Sequence, residues 1–290
     1  MSIVNCDKLF FADDATATTS GENIKIIEES LNKDVKNVSK WCDKNDMVVS
    51  LPKSNSLLVA SRQRLAHTDG DVALNIELDN HKIPCVSKTK LLGVHFDQHL
   101  SWDEHIKHVQ KKISSNLYLL KQIKRYLPLY ARKLFFNSYV LPHFDYCCII
   151  WGNCSKTALY KLVKLQKRAA RLILDKDYNT RTKVLFSELG WMPLEDRIVF
   201  MRAVQMYKTL NDNNSQGLDS LFEYNKNLYN YNTRSVKKNN LHIEQNHTKS
   251  FSHLGATTWN SIPSSTRNAK SVANFKTNYL NQYFAHDQTL

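Results

Sequence analysis

Apolar residues at the start of the chain fall into two strand-like segments and one helical stretch. The segments Lys8 to Phe11 and Ala15 to Thr19 flank two acidic residues, and this pattern predicts a β-hairpin with a tight turn. A helix is predicted next, because apolar residues recur at intervals of three or four positions: Ile24, Ile27, Leu31, Val35, Val38 and Trp41. The chain therefore begins with a hairpin and an amphipathic helix.

Weaker strand patterns occupy the residues up to about position 100. Met47 to Val49 and Leu57 to Ala60 predict a strand pair around a polar loop. Residues 61–81 are polar and predict a loop with one further strand at Val72 to Leu78. Lys90 to Phe96 predicts an apolar strand that contains a glycine.

The pattern becomes helical after this point. The predicted helices start at Trp102, at Pro128 (ending near Val140), at Lys156 (ending near Leu174) and after Pro193, and a last helix carries Phe275, Tyr279 and Tyr283. Residues 211–250 are rich in Asn, Lys, Ser and Tyr and predict a polar connection. We expect an α+β fold with an α+β part at residues 1–100, a mainly helical part at 101–176 and a mixed, mostly helical region at 177–290.

Composition narrows the choice of partners. The 290 residues contain 40 Lys and Arg against 27 Asp and Glu, a net charge of +13. Such a charge favours a polyanionic partner, nucleic acid first and an anionic membrane second, although a basic protein without such a partner remains an alternative. No run of 18 apolar residues exists, so no membrane span is predicted. The first residues lack a signal-peptide pattern, and we expect an intracellular protein, nuclear or cytoplasmic and not secreted.

The six cysteines raise the question of a metal site. His143, Cys147, Cys148 and Cys154 are close enough in sequence to suggest zinc. However, they form no CxxC pair, and the residues between them are apolar. Buried, reduced cysteines are therefore the preferred interpretation.

Asp13 and Asp14 lie at the tip of the predicted hairpin. Aspartate is common in ordinary turns, and this is the simpler interpretation. The alternative is a magnesium site for phosphoryl transfer, because Mg²⁺ prefers hard oxygen ligands and takes one or two carboxylates from a protein. One hairpin cannot hold two metal ions, so such a site needs a further carboxylate from a neighbouring strand.

A family resemblance begins at this hairpin. The segment Phe11-Ala12-Asp13-Asp14 resembles the catalytic hairpin of reverse transcriptases, whose common form is Tyr- or Phe-Ala-Asp-Asp. Later segments resemble, in the same order, those of the non-LTR (LINE-type, jockey-like) retrotransposon enzymes. In the palm, residues 38–42 resemble the palm helix, 48–54 resemble the Leu-Asn-x-x-Lys-Thr loop with Ser for Asn and for Thr, and 90–94 with 100–102 resemble the primer grip and the start of the thumb. Residues 141–152 and 164–171 resemble the thumb, and 189–191 and 259–263 resemble the C-terminal region. The resemblance covers nearly the whole chain.

Several residue roles follow from this resemblance. Asp13 is expected to bind Mg²⁺ in the full-length enzyme, with Asp14 assisting, whereas the half-made site of this chain is expected to bind the ion weakly or not at all. Lys53 is the candidate general acid that protonates the leaving pyrophosphate. A solvated loop lysine is the alternative for Lys53. Leu92 and Gly93 are expected in the primer-grip strand, where glycine lets the primer backbone approach, although a simple bulge is the alternative.

The resemblance also predicts nucleic-acid contacts in the thumb. An RNA template and DNA primer duplex is the expected partner, held by two groups of basic residues: Lys121, Lys124, Arg125, Arg132 and Lys133 around Pro128, and Lys161, Lys164, Lys167, Arg168 and Arg171 on the third helix. Solvated helix faces are the alternative. Tyr126, Tyr130 and Trp151 could stack on bases, but helical spacing favours their burial.

In the resembling enzymes, the nucleotide-binding fingers and another essential aspartate precede the hairpin. Only twelve residues precede Asp13 here. We therefore expect a fragment of an RNA-directed DNA polymerase, with a truncated palm remnant at residues 1–100, that is inactive alone. The alternatives are a non-catalytic relic that binds RNA or RNA–DNA duplex, or a decayed reading frame without function.

Overall fold

The computed structural model describes residues 7–66, 74–211, 217–228, 239–245 and 248–287. The chain divides into two units, Met1–His105 and Ile106–Leu290. The described strands form three separate two-stranded antiparallel hairpins, and helices make up most of the remainder. The predicted α+β class is confirmed, while the assignment of its parts to a palm and a thumb stays a prediction.

The first hairpin and the first helix form where the sequence predicts them. Strand β1 (Asp7–Phe11) pairs with β2 (Asp14–Thr18), with Phe11 opposite Asp14. Helix α1 (Ile24–Lys44) begins after Asn23, whose side-chain oxygen accepts a hydrogen bond from the amide of Lys25. Such an N-cap satisfies one of the amides that the first helical turn leaves without a partner.

The apolar face of α1 packs on a short hairpin that the sequence predicts only in part. This hairpin pairs β3 (Ile76–Leu78) with β4 (His81–Ile83). Buried Ile76, Leu78 and Ile83 contact Ile27 and Leu31 of α1 in one hydrophobic cluster. Of the strand predicted at Val72 to Leu78, the first two residues lie outside the described residues. The partner strand β4 is an addition.

The strand pair predicted at Met47 to Val49 and Leu57 to Ala60 is wrong. A 3₁₀ turn forms at Leu51–Lys53, Val48 is 95% exposed, and a short helix, α2 (Arg62–Ala66), follows. Ser56 instead forms a parallel bridge with Cys85: its amide donates to the carbonyl of Pro84 at 3.0 Å, and its carbonyl accepts from Val86 at 2.8 Å. The backbone partner of this segment is therefore distant in sequence, where local patterns cannot reveal it.

The single strand predicted from Lys90 to Phe96 is also wrong. This segment belongs to a hairpin of β5 (Lys88–Leu91) and β6 (Val94–Asp97), in which Leu92 and Gly93 form the turn. Their φ angles are +45° and +84°. Positive φ at both central residues matches the right-handed twist of a two-residue hairpin, and glycine meets this requirement without steric cost.

A buried carboxylate organises the end of this hairpin. The carboxylate of Asp97 accepts hydrogen bonds from the amides of His99 (2.9 Å), Ser101 (3.0 and 3.1 Å) and Trp102 (3.1 Å), and from the hydroxyl of Ser101. Leu100 and Trp102 have φ angles of +49° and +66°, which are unfavourable for bulky side chains. The hydrogen bonds to Asp97 offset this strain.

The second unit is built from helices. Helix α3 (Asp103–Ile123) begins in the first unit and ends in a 3₁₀ turn at Lys124–Tyr126. The helices that follow are α4 (Leu129–Phe135), a π-helical turn (Phe136–Val140), α5 (Leu141–Asp145), α6 (Cys148–Trp151), α7 (Lys156–Leu174), α8 (Thr182–Leu189), α9 (Leu194–Asn211), α10 (Asn225–Leu228), α11 (Phe251–Ser261), α12 (Ser264–Arg267) and α13 (Val272–Asp287). The helices predicted after Trp102, Lys156 and Pro193 and at the C-terminus are confirmed, whereas α8 and α11 are additions.

Helix α9 lies in the core of this unit. It contacts α5, α6, α7, α11 and α13, and its buried residues occur on nearly all sides of the helix. Polar anchors supplement the apolar core: Arg197 binds the carboxylate of Asp145 at 2.5 and 2.6 Å, and the hydroxyl of Tyr283 donates to Asp196 at 2.6 Å. A helix buried on most of its surface fixes the positions of all its neighbours.

The cysteines near His143 belong partly to this core. Cys148 is 2% exposed, and burial raises the pKa of its thiol to about 12. Cys147 is half-buried, and burial also raises its pKa. Cys42, Cys85, Cys147 and Cys148 are free thiols. The predicted burial is thus confirmed for Cys148.

None of the helices among the described residues combines the length and the apolarity that a membrane crossing requires.

The Asp97 hydrogen bonds predict a pH-dependent stability. Burial of this carboxyl tends to raise its pKa, but the hydrogen bonds from Ser101, His99 and Trp102 outweigh burial and hold the pKa below its usual value. A lowered pKa in the folded state stabilises the protein above the unfolded pKa, and this stabilisation is lost as the pH falls through the folded value, below about pH 4.

We expect Asp97→Asn to lower the free energy of unfolding by about 1–3 kcal/mol at neutral pH, because its amide group faces hydrogen-bond donors. Denaturant unfolding from pH 7 to pH 2.5 should show this difference shrinking as the wild-type carboxylate is protonated. The control, Glu77→Gln on the exposed side of β3, should change stability by less than about 0.5 kcal/mol. A difference that is independent of pH would contradict the assignment.

Candidate nucleic-acid interface

The two aspartates of the first hairpin lie side by side at its end. Asp13 occupies the turn after Ala12, whose φ angle is +52°, and Asp14 is the first residue of β2. Both are exposed. Within the part of the chain that the structure describes, no three His, Cys, Asp or Glu residues are arranged to hold a metal ion. Two exposed carboxylates offer the hard oxygen atoms that Mg²⁺ prefers, whereas a two-metal site needs further ligands.

The other residues assigned to the palm lie on separate loops of the first unit. Lys53 is exposed in the 3₁₀ turn, and its amide donates to the carbonyl of Ser50 at 3.1 Å. Gly93 lies in the hairpin turn between β5 and β6, beside Leu92, which is 44% exposed. Among the described residues, no hydrogen bond or ion pair joins Lys53 or Gly93 to either aspartate. The grouping of these residues into one catalytic site therefore stays a prediction.

Helix α7 separates an apolar face from a basic face. Its buried residues include Leu162, Ala169 and Ile173, each 0% exposed. Its sequence contains six basic residues and no acidic residue: Lys156, Lys161, Lys164, Lys167, Arg168 and Arg171. All six are exposed or half-buried. The face opposite the core is therefore uniformly positive.

One stripe of this face combines an aromatic ring with three cations. Tyr160, Lys164, Lys167 and Arg171 are spaced by four, three and four residues, which places them on the same side of a helix. The stripe is about 16 Å long, at ~1.5 Å per residue. The ammonium groups of Lys164 and Lys167 lie 4.8 and 5.8 Å from the centre of the Tyr160 ring.

The basic residues around Pro128 adjoin the C-terminal end of this stripe. Helix α4 packs against α7, and Arg132 donates to the carbonyls of Leu127 (2.8 Å) and Ile173 (3.1 Å). Lys124 forms an ion pair with Asp175, the C-cap residue of α7, and this hydrogen bond lowers the pKa of Asp175. Two basic groups that are separate in sequence thus meet in the fold.

Arg171 connects α7 to the segment that follows it. Its guanidinium donates to the carbonyls of Tyr178 (3.1 Å), Lys167 (3.3 Å) and Thr180 (3.4 Å). It also lies 5.1 Å from the centre of the Tyr178 ring. Arg171 and Arg132 therefore hold the backbone as well as contributing charge, whereas Lys121, Arg125, Lys164 and Arg168 are exposed.

Tyrosines are prominent on this surface. Tyr126, Tyr130, Tyr160 and Tyr178 are 71%, 74%, 51% and 85% exposed. Arg125 lies 4.8 Å from the centre of the Tyr126 ring. The expected burial is confirmed for Trp151, which is 0% exposed, but it is wrong for Tyr126 and Tyr130. These two tyrosines lie where α3 ends and α4 begins. The helical periodicity is interrupted there, so it does not place their side chains on a buried face.

The segment 141–152, which contributes to the family resemblance, has a structural role. Phe144 and Trp151 are buried, and the Trp151 indole donates to the carbonyl of Tyr146 at 2.8 Å. Asp145 forms the ion pair with Arg197 of α9. A Cβ atom at Gly152 would lie 2.4 Å from the carbonyl oxygen of Cys148 and 2.6 Å from Cγ2 of Ile198. Only glycine fits this contact without rearrangement.

Sequence reasoning missed three residues of the basic surface. Tyr160 could have been found, because it precedes Lys164 by one helical turn. Tyr178 and Asp175 follow the helix, and no local spacing relates them to Arg171 or Lys124.

Comparison with known proteins identifies related sequences. The chain is 20% identical over 191 residues to a probable RNA-directed DNA polymerase from transposon X-element of Drosophila melanogaster, and 24% identical over 191 residues to one from transposon BS of the same organism. It is 26% identical over 206 residues to a retrovirus-related Pol polyprotein from type-1 retrotransposable element R1 2 of Nasonia vitripennis. These alignments cover 65%, 65% and 68% of this chain.

The chain spans only part of these relatives, namely 20%, 20% and 49% of their lengths. No protein-family model and no solved structure matches the chain. The relatives confirm the predicted resemblance to the RNA-directed DNA polymerases of non-LTR retrotransposons.

The contacts of Arg171 predict that two neighbouring arginines differ in their structural importance. We expect Arg171→Ala to lower the free energy of unfolding by about 1–2 kcal/mol, because three carbonyl groups lose a charged donor. The matched variant Arg168→Ala removes the same charge from an exposed position and should change stability by less than about 0.5 kcal/mol. Urea unfolding of both variants measures the difference. Equal effects would contradict the tethering role.

Proposed function

We propose that this chain, a relative of the non-LTR retrotransposon RNA-directed DNA polymerases, is part of such a polymerase and binds nucleic acid through its helical unit. The observation that carries the binding proposal is the basic face of α7, with six basic residues and no acidic one. The basic residues around Pro128 extend this face. The expected ligand is the RNA template with its DNA primer.

The physical basis of this binding is neutralisation of phosphates. A cationic face that neutralises phosphate groups releases counterions from the nucleic acid, so affinity falls steeply as salt rises. Exposed Lys121, Arg125, Lys164 and Arg168 are the best placed to contact phosphates. Lys133, which is half-buried, and Lys124, which is ion-paired, contribute mainly through their long-range field. The net charge of +13 supports association with RNA and with DNA, since both are polyanions.

We also propose that Asp13 and Asp14 contribute to catalysis only together with a carboxylate from outside the described residues. Their exposed oxygen atoms suit Mg²⁺, whose chemistry in a complete site would be to activate the attacking hydroxyl and stabilise the leaving pyrophosphate. Lys53 is proposed as a proton donor in that complete site, and Leu92 and Gly93 as contacts of the primer backbone. The chain alone is proposed to be inactive as a polymerase.

A second candidate function is nucleic-acid binding without catalysis. It remains a candidate because the basic face of α7 does not depend on the first hairpin for its charge. A reading frame without function is the remaining alternative, and absence of salt-dependent binding would support it.

Charge reversal on α7 tests the binding proposal. We expect Lys164→Glu/Arg168→Glu to weaken binding to an RNA–DNA hairpin duplex by more than tenfold at 50 mM salt. The plot of log affinity against log salt concentration should become less steep by about 2, because each lost phosphate contact reduces the magnitude of its negative slope by ~0.7–0.9. Fluorescence anisotropy with a labelled duplex at several salt concentrations measures both quantities.

The matched control is Lys208→Glu/Lys276→Glu, which makes the same change in net charge at exposed positions of α9 and α13. This control should retain most of the affinity and slope. If both double variants weaken binding equally, the effect belongs to net charge and not to α7, and the proposed interface is wrong.

Polymerase activity is tested separately. We expect the purified chain to incorporate no more labelled dNTP on a primed RNA template with Mg²⁺ than its Asp13→Ala variant does. Retained duplex binding in the same preparation confirms that the protein is folded. Incorporation by the wild type that Asp13→Ala abolishes would show that the chain carries a complete active site.

A further inference from the structure

The exposed tyrosines of the helical unit add a second chemistry to its basic surface. We propose that Tyr126, Tyr130 and Tyr178 form a stacking surface for unpaired bases, so that this surface adds affinity for single-stranded RNA, such as unpaired template, that a duplex does not gain. The proposal rests on the proposed nucleic-acid binding and specifies its ligand.

The three tyrosines lie around one point of the fold. Tyr126 and Tyr130 flank Pro128, between α3 and α4. Tyr178 follows the C-terminal end of α7, where Arg171 donates to its carbonyl. The ion pair between Lys124 and Asp175 joins these two places, two residues before Tyr126 and three before Tyr178.

The exposure of these rings needs an explanation. Tyrosine is intermediate between the mostly buried and the mostly exposed residue types, and single exposed apolar residues are common. Here three tyrosines with exposures of 71%, 74% and 85% lie around one helix junction. They also occur among basic residues, which is the composition of a surface that binds single strands.

Cations hold two of the rings in place. The guanidinium carbon of Arg125 lies 4.8 Å from the centre of the Tyr126 ring, and that of Arg171 lies 5.1 Å from the centre of the Tyr178 ring. Arg171 is itself fixed by three carbonyl groups. A ring supported on one face by a cation, and largely exposed otherwise, is oriented before a base arrives.

The stacking chemistry distinguishes a single strand from a duplex. In a duplex the bases stack on one another, and a protein surface reaches mainly phosphates and sugars. Unpaired bases expose their π faces, and stacking on aromatic side chains strengthens binding with little dependence on sequence. The tyrosines should therefore add affinity for single strands only.

The stripe on α7 gives a path for such a strand. Lys164 and Lys167 lie between Tyr160 at one end and Arg171, with Tyr178, at the other. Along this path, phosphates would contact the cations while bases contact the rings. The path thus has a ring at each end and three cations between the rings.

The test compares two ligands on the same protein. Fluorescence anisotropy at fixed salt would measure the Kd of the full chain for a labelled unstructured uridine oligomer and for an RNA–DNA hairpin duplex. We expect Tyr126→Ala/Tyr130→Ala/Tyr178→Ala to weaken oligomer binding by at least tenfold and duplex binding by less than twofold. The corresponding triple Phe variant, which keeps the rings, should retain oligomer binding within about threefold.

Tyr139→Ala is the matched control for loss of an exposed tyrosine. Tyr139 is 59% exposed, and its ring packs on Phe135 at 5.0 Å instead of on a cation. This variant should bind both ligands as the wild type does. Circular dichroism and thermal unfolding check each variant, and the single variant Tyr178→Ala, at the most exposed ring, serves if the triple variant does not fold.

The outcomes separate this inference from the proposed function. If the wild type binds both ligands with a strong salt dependence, but the triple Ala variant weakens both equally or neither, the stacking surface is wrong and the basic interface stands. If the wild type binds neither ligand, both proposals fail. Loss of oligomer binding alone, with retention in the Phe variant, supports the stacking surface.

Discussion

The burial of one face of α7 is the constraint on which the basic surface depends. The side-chain amide of buried Gln166 donates to the carbonyl of Met192 at 2.9 Å and accepts from the amide of Leu194 at 2.9 Å. These two hydrogen bonds attach the helix to the start of α9, and the apolar contacts around them prevent rotation about the helix axis. Once this face is buried, the basic side chains on the opposite face must point to solvent. The packing of the apolar residues therefore determines where the positive potential lies.

Charge and backbone geometry are coupled at the end of α7. Arg132 and Arg171 bind carbonyl groups that helix ends and turns leave without amide donors. Side chains of this kind serve the fold in two ways, because they satisfy polar backbone groups and contribute to the field at the surface. Lys164 and Arg168, by contrast, are exposed to solvent. A basic surface of this type therefore consists of fixed cations, which bind backbone carbonyl groups, and of exposed cations that are free to adapt.

The sequence predicts elements well where one apolar face repeats over several turns, as in α1, α3 and α7, because packing of that face is what periodicity reports. It fails for the bridge between Ser56 and Cys85, since the pairing of distant segments leaves no local pattern. It also fails at Leu92, where a turn requires a left-handed residue that propensity alone does not favour. For the site, composition predicts the basic helix, but the tethering of Arg171 and the exposure of Tyr126 depend on tertiary contacts.

The C-cap of α7 is a position where a substitution would weaken the basic surface without changing the helix content. Asp175 has φ and ψ angles of +54° and +46°, a conformation that glycine adopts more easily than any other residue. Replacement by glycine would leave α7 intact, and no measure of helix content would reveal it. The same replacement would remove the carboxylate that holds Lys124, and with it one link between the end of α3 and the basic face. Sequence drift at this position would therefore be silent for secondary structure and damaging for the assembled surface.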